Sequence, residues 1–216
     1  MPAHRFAVAI LVGALGVGCG GGGDVGSGGM GGGGMGGGGD GGGANASELS
    51  QAEIDGLLFT REEEKLARDV YAALDGYGNP FVNIQGSEQS HMDAVLSLLT
   101  AHGLPDPAAG KGVGEFTNAD LQALYTDLVA QGSPAATAAL IVGCTIEDLD
   151  IRDIDLAKVD VTHPDIAAMY DTLLLGSRNH LRAFHGRLTA LGGSYAPQYI
   201  DQANFDAIVS SPKEKP

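Results

Sequence analysis

Apolar residues after about residue 48 recur every three or four positions, and no stretch of useful length alternates between apolar and polar residues. A spacing of three and four is the period of an amphipathic helix, whereas alternation would indicate a strand. The pattern predicts four long helices and one shorter helix, over residues 50–74, 81–102, 118–130, 133–151 and 162–191. The sequence therefore predicts an all-α fold, a helical bundle that is large enough to bury a core.

Local sequence signals mark several of these helix ends. The Ser-Gln-Ala-Glu stretch of Ser50–Glu53 is a capping box before the first helix. Ser133–Pro134 predicts a cap followed by a proline at the first position of the third long helix. Gly192–Gly193 predicts the end of the last helix. The predicted bundle domain covers residues 48–193, and residues 194–216 are predicted to form a short, loosely packed tail.

The beginning of the chain has the features of an export signal. Residues 6–17 form an apolar run that is too short for a membrane span, and small residues then lead to Cys19. This pattern predicts a lipoprotein-type signal peptide over residues 1–18, cleaved before Cys19, which is then acylated. The alternative is an ordinary signal peptide cleaved nearby, because Gly16 stands where a large aliphatic residue is usual. The lipoprotein interpretation implies an extracytoplasmic protein anchored to a membrane by lipid, at the outer membrane if the host has one.

A glycine-rich stretch follows the predicted anchor. Residues 20–43 contain 18 glycines in 24 positions. Such a sequence buries no side chains and loses much backbone entropy on folding, so it does not form a packed domain. Residues 19–47 are therefore predicted to be the Cys anchor and a flexible linker.

Net charge and cysteine content exclude some functions. The formal net charge is −15, which argues against binding to nucleic acid, because phosphates require a basic surface. The second cysteine, Cys144, lies in an apolar stretch with no partner cysteine once Cys19 is acylated. It is predicted to be a small buried hydrophobic residue rather than half of a disulfide.

The candidate chemistry begins in the second predicted helix. Glu88 and His91 are three residues apart and therefore share one helix face. Ile84, Val95 and Leu98 lie on the same face, so the carboxylate and the imidazole should point into the core. Buried polar groups of this kind are costly unless something satisfies them. A metal ion held between helices would do so, since Glu-x-x-His is the half-site of di-iron carboxylate bundles.

Other predicted helices offer further metal ligands. On the first helix either Glu63 or Glu64 faces the apolar side, and periodicity does not choose between them. On the third long helix Glu147 and Asp150 can share the apolar face, although this stretch could instead be a solvated helix end. On the last helix His180 lies on the apolar face, where a histidine is more often a hydrogen-bonded core residue than a ligand.

Three segments of the chain resemble a known group of proteins. Glu64, Ala67, Arg68 and Tyr71 match the rubrerythrin first-helix pattern Glu-x-x-Ala-Arg-x-x-Tyr, and Glu88 with His91 resembles its second-helix half-site. The stretches 62–71, 87–93 and 176–184 are similar to an uncharacterised ferritin-like branch, the domain of unknown function 2202 family. The resemblance covers about residues 48–192. It implies a ferritin-like four-helix bundle with one additional short helix and a dinuclear iron centre.

The resemblance also implies a ligand set. The first helix provides Glu64, and the second provides the Glu-x-x-His pair of Glu88 and His91. The third long helix provides Glu147, with or without Asp150, and the fourth provides His180. The chain departs from the pattern at Ser177, where the fourth helix should carry a glutamate. Asp150 could replace the missing carboxylate, or the site could hold one metal ion or none. Tyr71 could be a hydrogen-bond donor beside the ligands, or a core aromatic residue.

These residues lead to a functional expectation with alternatives. Carboxylate and imidazole ligands suit one or two iron ions, and manganese or zinc could also bind. The first hypothesis is an envelope-anchored ferritin-like protein that acts as an oxidase, a peroxidase or an iron handler. If the protein is an enzyme, it is expected to be a di-iron oxidoreductase. Since the chain has no Cys-x-x-Cys motif, its electrons must come from a separate donor. The alternative is a metal-free or non-catalytic metal-binding bundle that serves as an interaction module, and either form could assemble into a homo-oligomer.

Overall fold

The computed structural model describes residues 48–215. The segments predicted to form the signal peptide, the lipid anchor at Cys19 and the glycine-rich linker lie outside these residues. Within the described residues the fold is all helical, with six α-helices and no strand. The helices are α1 (Gln51–Ala73), α2 (Phe81–Ala101), α3 (Ala119–Gly132), α4 (Ala136–Lys158), α5 (Pro164–Ala190) and α6 (Gln202–Ser210), and a short 3-10 turn (Asp75–Tyr77) follows α1.

Most predicted helix ends lie within two residues of the observed ones. The capping box before α1 is present, since Ser50 accepts a hydrogen bond from the Glu53 amide and the Glu53 side chain accepts one from Ser50. Both predicted ends of α4 were wrong, since the helix begins at Ala136 rather than at residue 133 and continues to Lys158 rather than ending at residue 151. Ser133 does not cap α4; its amide and its hydroxyl donate to the Val129 carbonyl, so Ser133 closes α3 instead. As a result, α4 begins at Ala136 without a side-chain cap.

The four long helices surround the core. α1 packs along α2, α4 packs along α5, and smaller contacts join α1 to α4 and α2 to α5. The shorter α3 lies against α4 and α1. Leucine, isoleucine and aromatic side chains of all four long helices form one continuous apolar cluster, which includes Cys144 as the predicted buried thiol. Between residues 48 and 215, none of the helices is both long enough and apolar enough to cross a membrane.

Five consecutive charged residues in α1, Arg61 to Lys65, are all buried. Three of them hold the connection between α2 and α3. Arg61 forms an ion pair with Asp106 at 3.0 Å, Glu62 accepts from the amides of residues 117 and 118, and Lys65 donates to the carbonyl of Gly112 at 2.7 Å. The other two, Glu63 and Glu64, are left to face the interior of the helical assembly.

The C-terminal segment is packed more tightly than the sequence suggested. Helix α6 buries Phe205 and Ile208 against the core, although residues 194–216 were expected to be loosely packed. Asp148 of α4 anchors the preceding stretch, because its carboxylate accepts hydrogen bonds from the Tyr195 hydroxyl at 2.8 Å and from the Ile200 amide at 2.9 Å. The nine-residue α6 is too short to give a clear period in the sequence.

Candidate metal centre

Each of the four long helices contributes a polar side chain to one buried cluster. α1 provides Glu64, α2 provides Glu88 and His91, α4 provides Glu147, and α5 provides His180. None of these side chains is more than 8% exposed. They form two groups of three in which one donor atom per residue lies within 4.8 Å of the others, and Glu88 belongs to both groups. The buried acidic and imidazole groups could therefore hold metal ions.

The distances show how Glu88 connects the two groups. His91 Nδ1 lies 2.8 Å from Glu88 Oε2 and 3.1 Å from Glu64 Oε2. His180 Nδ1 lies 2.8 Å from Glu88 Oε1 and 3.5 Å from Glu147 Oε2. The carboxylate of Glu88 thus presents one oxygen to each imidazole, and both imidazoles face it with Nδ1. A carboxylate placed in this way could contact two cations, one beside each imidazole.

Several donor atoms of the cluster lack hydrogen bonds. Glu88 Oε1, Glu147 Oε2 and His180 Nδ1 are buried and have no hydrogen-bond partner. His180 Nδ1 and Glu88 Oε1 lie 2.8 Å apart as an ion pair, but the two atoms form no hydrogen bond. Buried polar atoms are almost always satisfied in folded proteins. Unsatisfied oxygen and nitrogen atoms that converge on one place fit a metal ion, which would coordinate all three.

Neighbouring residues fix the orientation of the candidate ligands. The Tyr71 hydroxyl donates to Glu147 Oε1, so this tyrosine acts on the carboxylate of α4 rather than on Glu64. His180 Nε2 lies 3.0 Å from the Ser87 hydroxyl, which leaves Nδ1 directed at the carboxylates. Metal-binding histidines usually have a second partner of this kind, which fixes the tautomer and the ring orientation.

A glycine makes room for the other imidazole. A Cβ atom at Gly176 of α5 would lie 2.4 Å from His91 Cε1 and 2.5 Å from His91 Nε2. Any larger residue at this position would therefore displace the ring. The two imidazoles stack with their centroids 5.6 Å apart.

The charges of the cluster are strongly coupled. Burial opposes ionisation of Glu88, but the imidazoles of His180 and His91 outweigh it and lower its pKa to about 2. Burial acts to lower the histidine pKa values, but the adjacent carboxylates raise the pKa of His91 to about 11 and that of His180 to about 10. Burial raises the pKa of Glu147 to about 7, against the effect of His180. Without a metal ion, the raised pKa values favour the positively charged form of both imidazoles at neutral pH.

Comparison with known proteins places the chain in a family. The family described as "Uncharacterized protein domain (DUF2202)" matches residues 53–212. This chain belongs to that family. The prediction from the sequence motifs is confirmed to that extent, and the matched region includes every candidate ligand described above.

Two comparisons concern the same relative of this DUF2202 chain. It is 44% identical over 169 residues to the uncharacterised protein MJ0754 of Methanocaldococcus jannaschii, a match that covers 77% of this chain and 91% of that protein. The crystal structure of hypothetical protein MJ0754 from Methanococcus jannaschii matches with a TM-score of 0.76 at 43% identity, over 80% of this chain and 100% of that chain. The helical fold is therefore shared, and neither name states an activity.

Other candidates from the sequence lie beside the two groups. Glu64, and not Glu63, belongs to the cluster. Glu63 lies against Asp153 of α4, and burial together with the Asp153 carboxyl raises the pKa of Glu63 well above its usual value. Asp150 belongs to neither group. Its Oδ1 is buried without a partner, and burial together with the charge of Glu63 raises its pKa. Ser177 supplies no ligand, because its hydroxyl donates to the Leu173 carbonyl of its own helix.

Some residues that shape the cluster were missed from the sequence. Ser87 and Gly176 carry no charge and no metal-ligand chemistry, so nothing in the composition singled them out. The available signal is positional. Ser87 lies one helical turn before His91 on α2, and Gly176 lies one turn before His180 on α5, so each is on the face that carries an imidazole.

Proposed function

We propose that this protein is a ferritin-like protein with a dinuclear metal centre, in which Glu88 bridges two ions. The observation that carries the proposal is the pair of buried groups that share Glu88, one completed by Glu64 and His91 and the other by Glu147 and His180. Their positions on four long helices match the way that ferritin-like carboxylate proteins build their metal sites. The unpartnered donor atoms of Glu88, Glu147 and His180 support it.

The donor set indicates which metal would bind. Three carboxylates and two imidazoles suit iron or manganese and tolerate zinc, while the cluster contains no thiolate. Two ferrous ions would supply electrons for reaction with dioxygen or peroxide, or would be oxidised as cargo. The function proposed is therefore that of an oxidase, a peroxidase or an iron handler, and an enzyme of this type would be a di-iron oxidoreductase.

Buried aromatic residues lie next to the proposed centre, beside Glu147. Tyr71 is fully buried, its hydroxyl holds Glu147 in place, and burial with the charge of Glu147 raises the pKa of Tyr71 so that it keeps its proton. The rings of Tyr71, Phe81 and Phe184 are fully buried and pack with centroids 5.0 to 6.0 Å apart, so Tyr71 belongs to an apolar layer. Since the chain has no Cys-x-x-Cys motif, a separate electron donor completes this proposal.

The wider proposal follows the sequence features at the N-terminus. Acylation at Cys19 and a glycine-rich linker would hold the domain outside the cytoplasm at a membrane surface, at the outer membrane if the host has one. The arrangement of α1, α2, α4 and α5 is proposed to be a rubrerythrin-related four-helix bundle, with α3 and α6 as additions. Assembly into a homo-oligomer is part of this proposal.

A metal-free bundle is the second candidate, and one observation favours it. His91 lies between Glu64 and Glu88, and His180 lies between Glu88 and Glu147, so protonated imidazoles could balance the carboxylates without a metal. In that case the cluster would be a buried ion-pair network that stabilises an interaction module.

Iron content and spectrum separate the two candidates. The protein is loaded with ferrous iron under anaerobic conditions, desalted and exposed to air. The proposal predicts close to two irons per chain and the absorption bands of oxo-bridged ferric ions. A variant with His91→Ala should bind less iron because it lacks one donor of the first group. Iron content at background level in the unmodified protein would favour the metal-free bundle.

A further inference from the structure

The members of the buried cluster are not equally shielded from solvent. His91 and His180 are each 8% exposed, whereas Glu64, Glu88 and Glu147 are at most 1% exposed. The two imidazoles stack on each other, one carried by α2 and the other by α5. The side of the cluster that is nearest to solvent therefore lies between α2 and α5.

Two contacts define the line along which these helices meet, which we call the α2–α5 seam. Ser87 of α2 meets His180 of α5, with 3.0 Å between the hydroxyl oxygen and Nε2. One turn further along α2, the His91 ring lies against Gly176, one turn earlier on α5. The two helices are therefore antiparallel, and both imidazoles lie on the seam.

Small residues flank both imidazoles on this seam. On α2, Ala94 lies three residues after His91 and is half-buried. On α5, Ala183 lies three residues after His180 and is exposed. Residues three apart share a helix face, so each alanine lies beside an imidazole. Because a methyl group is too short to cover an imidazole, the two rings themselves separate the carboxylates from solvent on this side.

The two imidazoles differ in how firmly they are held. The outer edge of His180 has a partner, because its Nε2 lies 3.0 Å from the Ser87 hydroxyl. Within the described residues His91 Nε2 forms no hydrogen bond, and it is not among the fully buried unpartnered atoms, so this edge of the ring touches solvent. It lies against Gly176, which has no side chain. His91 is thus held only through Nδ1, which faces two carboxylates.

We propose that divalent metal ions enter and leave the cluster through the α2–α5 seam, and that the His91 imidazole is the gate. This inference rests on the proposed function, because it concerns the ions that the cluster would hold. When the ring turns outward, Nδ1 leaves Glu64 and Glu88, and their carboxylates then face the seam. An arriving cation meets these carboxylates first, and the returning ring closes the seam behind it. Rotation of one side chain between rotamers is sufficient, so neither helix has to move.

Phenylalanine at either alanine of the seam should obstruct the gate. Long side chains on a helix lie over the turn that precedes them, so Ala94→Phe would cover His91 and Ala183→Phe would cover His180. In the full-length protein, loading is followed by the visible absorption of bound Co²⁺, and release is followed after addition of excess chelator. A barrier raised by about 1.4 kcal/mol would slow both steps about tenfold and leave the equilibrium affinity unchanged.

Ser97→Phe is the matched control on α2. Ser97 is exposed and lies about two and a half helical turns after Glu88, so it is on the opposite face of the helix. This variant should load and release Co²⁺ at the rates of the unmodified protein. Helical circular dichroism and thermal unfolding show whether each variant is folded. If Ala94→Phe does not fold, Ala183→Phe still tests the seam, because Ala183 is exposed.

Removal of the imidazole tests its role as the gate. His91→Ala keeps the group of Glu88, Glu147 and His180, so it should still bind one Co²⁺ ion and load it faster than the unmodified protein does. Loading that is no faster would overturn the gate. Unchanged loading and release rates in the folded phenylalanine variants of the seam would overturn the route, while the dinuclear centre would stand. If the unmodified protein binds no Co²⁺, the proposed function fails together with the inference.

Discussion

Replacement of Gly176 by alanine should remove His91 from the metal centre. The added Cβ would lie 2.4 Å from His91 Cε1 and 2.5 Å from Nε2, whereas non-bonded carbon atoms settle at about 3.5–4.0 Å, so the ring must move by about 1 Å or more. Metal–ligand distances tolerate only about 0.2 Å. Because the ring is the free end of a side chain, it should swing away rather than shift the helix.

The expected loss can be set against a matched control. Disturbing a residue that merely orients a ligand lowers metal affinity by about 10- to 100-fold, so displacing His91 itself should cost at least that factor. The assay is competition for Zn²⁺ against a chelator. Gly86→Ala in α2 is the control, since a Cβ there meets no atom within 4 Å. It should leave affinity unchanged and stabilise the helix by about 1 kcal/mol.

A double-mutant cycle tests whether Gly176 acts through the His91 ring. In a His91→Ala background, Gly176→Ala should have no further effect on Zn²⁺ affinity, because the ring that it displaces is already absent. Unchanged affinity in the Gly176→Ala single variant would refute the assignment of His91 as a ligand. Equal losses in both backgrounds would show that the glycine acts through the helix and not through the imidazole.

Three further predictions concern neighbouring residues and pH. Ser87→Ala should lower Zn²⁺ affinity by about 10- to 100-fold with little loss of stability, because His180 Nε2 loses its partner. Chelator competition measures the affinity and thermal unfolding measures the stability. Unchanged affinity would contradict this role of Ser87. Binding of two Zn²⁺ ions near pH 7 should release at least two protons, since His91 and His180 carry raised pKa values of about 11 and 10, Glu147 has a raised pKa of about 7, and all three must lose protons to ligate. The affinity for Zn²⁺ should therefore increase as pH rises. Calorimetry in buffers of different ionisation enthalpy measures the number of protons released, and a value near zero would contradict the prediction. Asp148→Ala should lower the free energy of unfolding in urea by about 2–4 kcal/mol, since several donors to a buried carboxylate lose their acceptor. A loss below about 0.5 kcal/mol would show that the C-terminal segment packs without this carboxylate.

Four of the helices and two of the five cluster residues could be predicted from local sequence alone. The three- and four-residue spacing of apolar positions set the ends of α1, α2, α3 and α5 to within two residues. The spacing of Glu88 and His91 was sufficient to place both side chains on the buried face of α2. Both results depend only on residues within one helix, where the helical period fixes which side chains are neighbours.

Other features depend on contacts between distant segments. The donors to Asp148 lie 47 to 52 residues away in the chain, so nothing near Asp148 indicates that it anchors the C-terminal segment. The sequence could not distinguish Glu63 from Glu64 as the ligand, because both side chains are buried. The two differ in their neighbours, since Glu64 faces α2 and Glu63 faces α4. Ser133 shows the same limit at a helix end, since the residue suits either the start of α4 or the close of α3.

The most direct test of the dinuclear centre is anomalous diffraction from crystals of the protein soaked in Mn²⁺ or Fe²⁺. Two anomalous peaks are expected about 3.5–4 Å apart, one at Glu64 and His91 and the other at Glu147 and His180, with Glu88 between them. No peak within the cluster, or a single peak that does not contact Glu88, would contradict it.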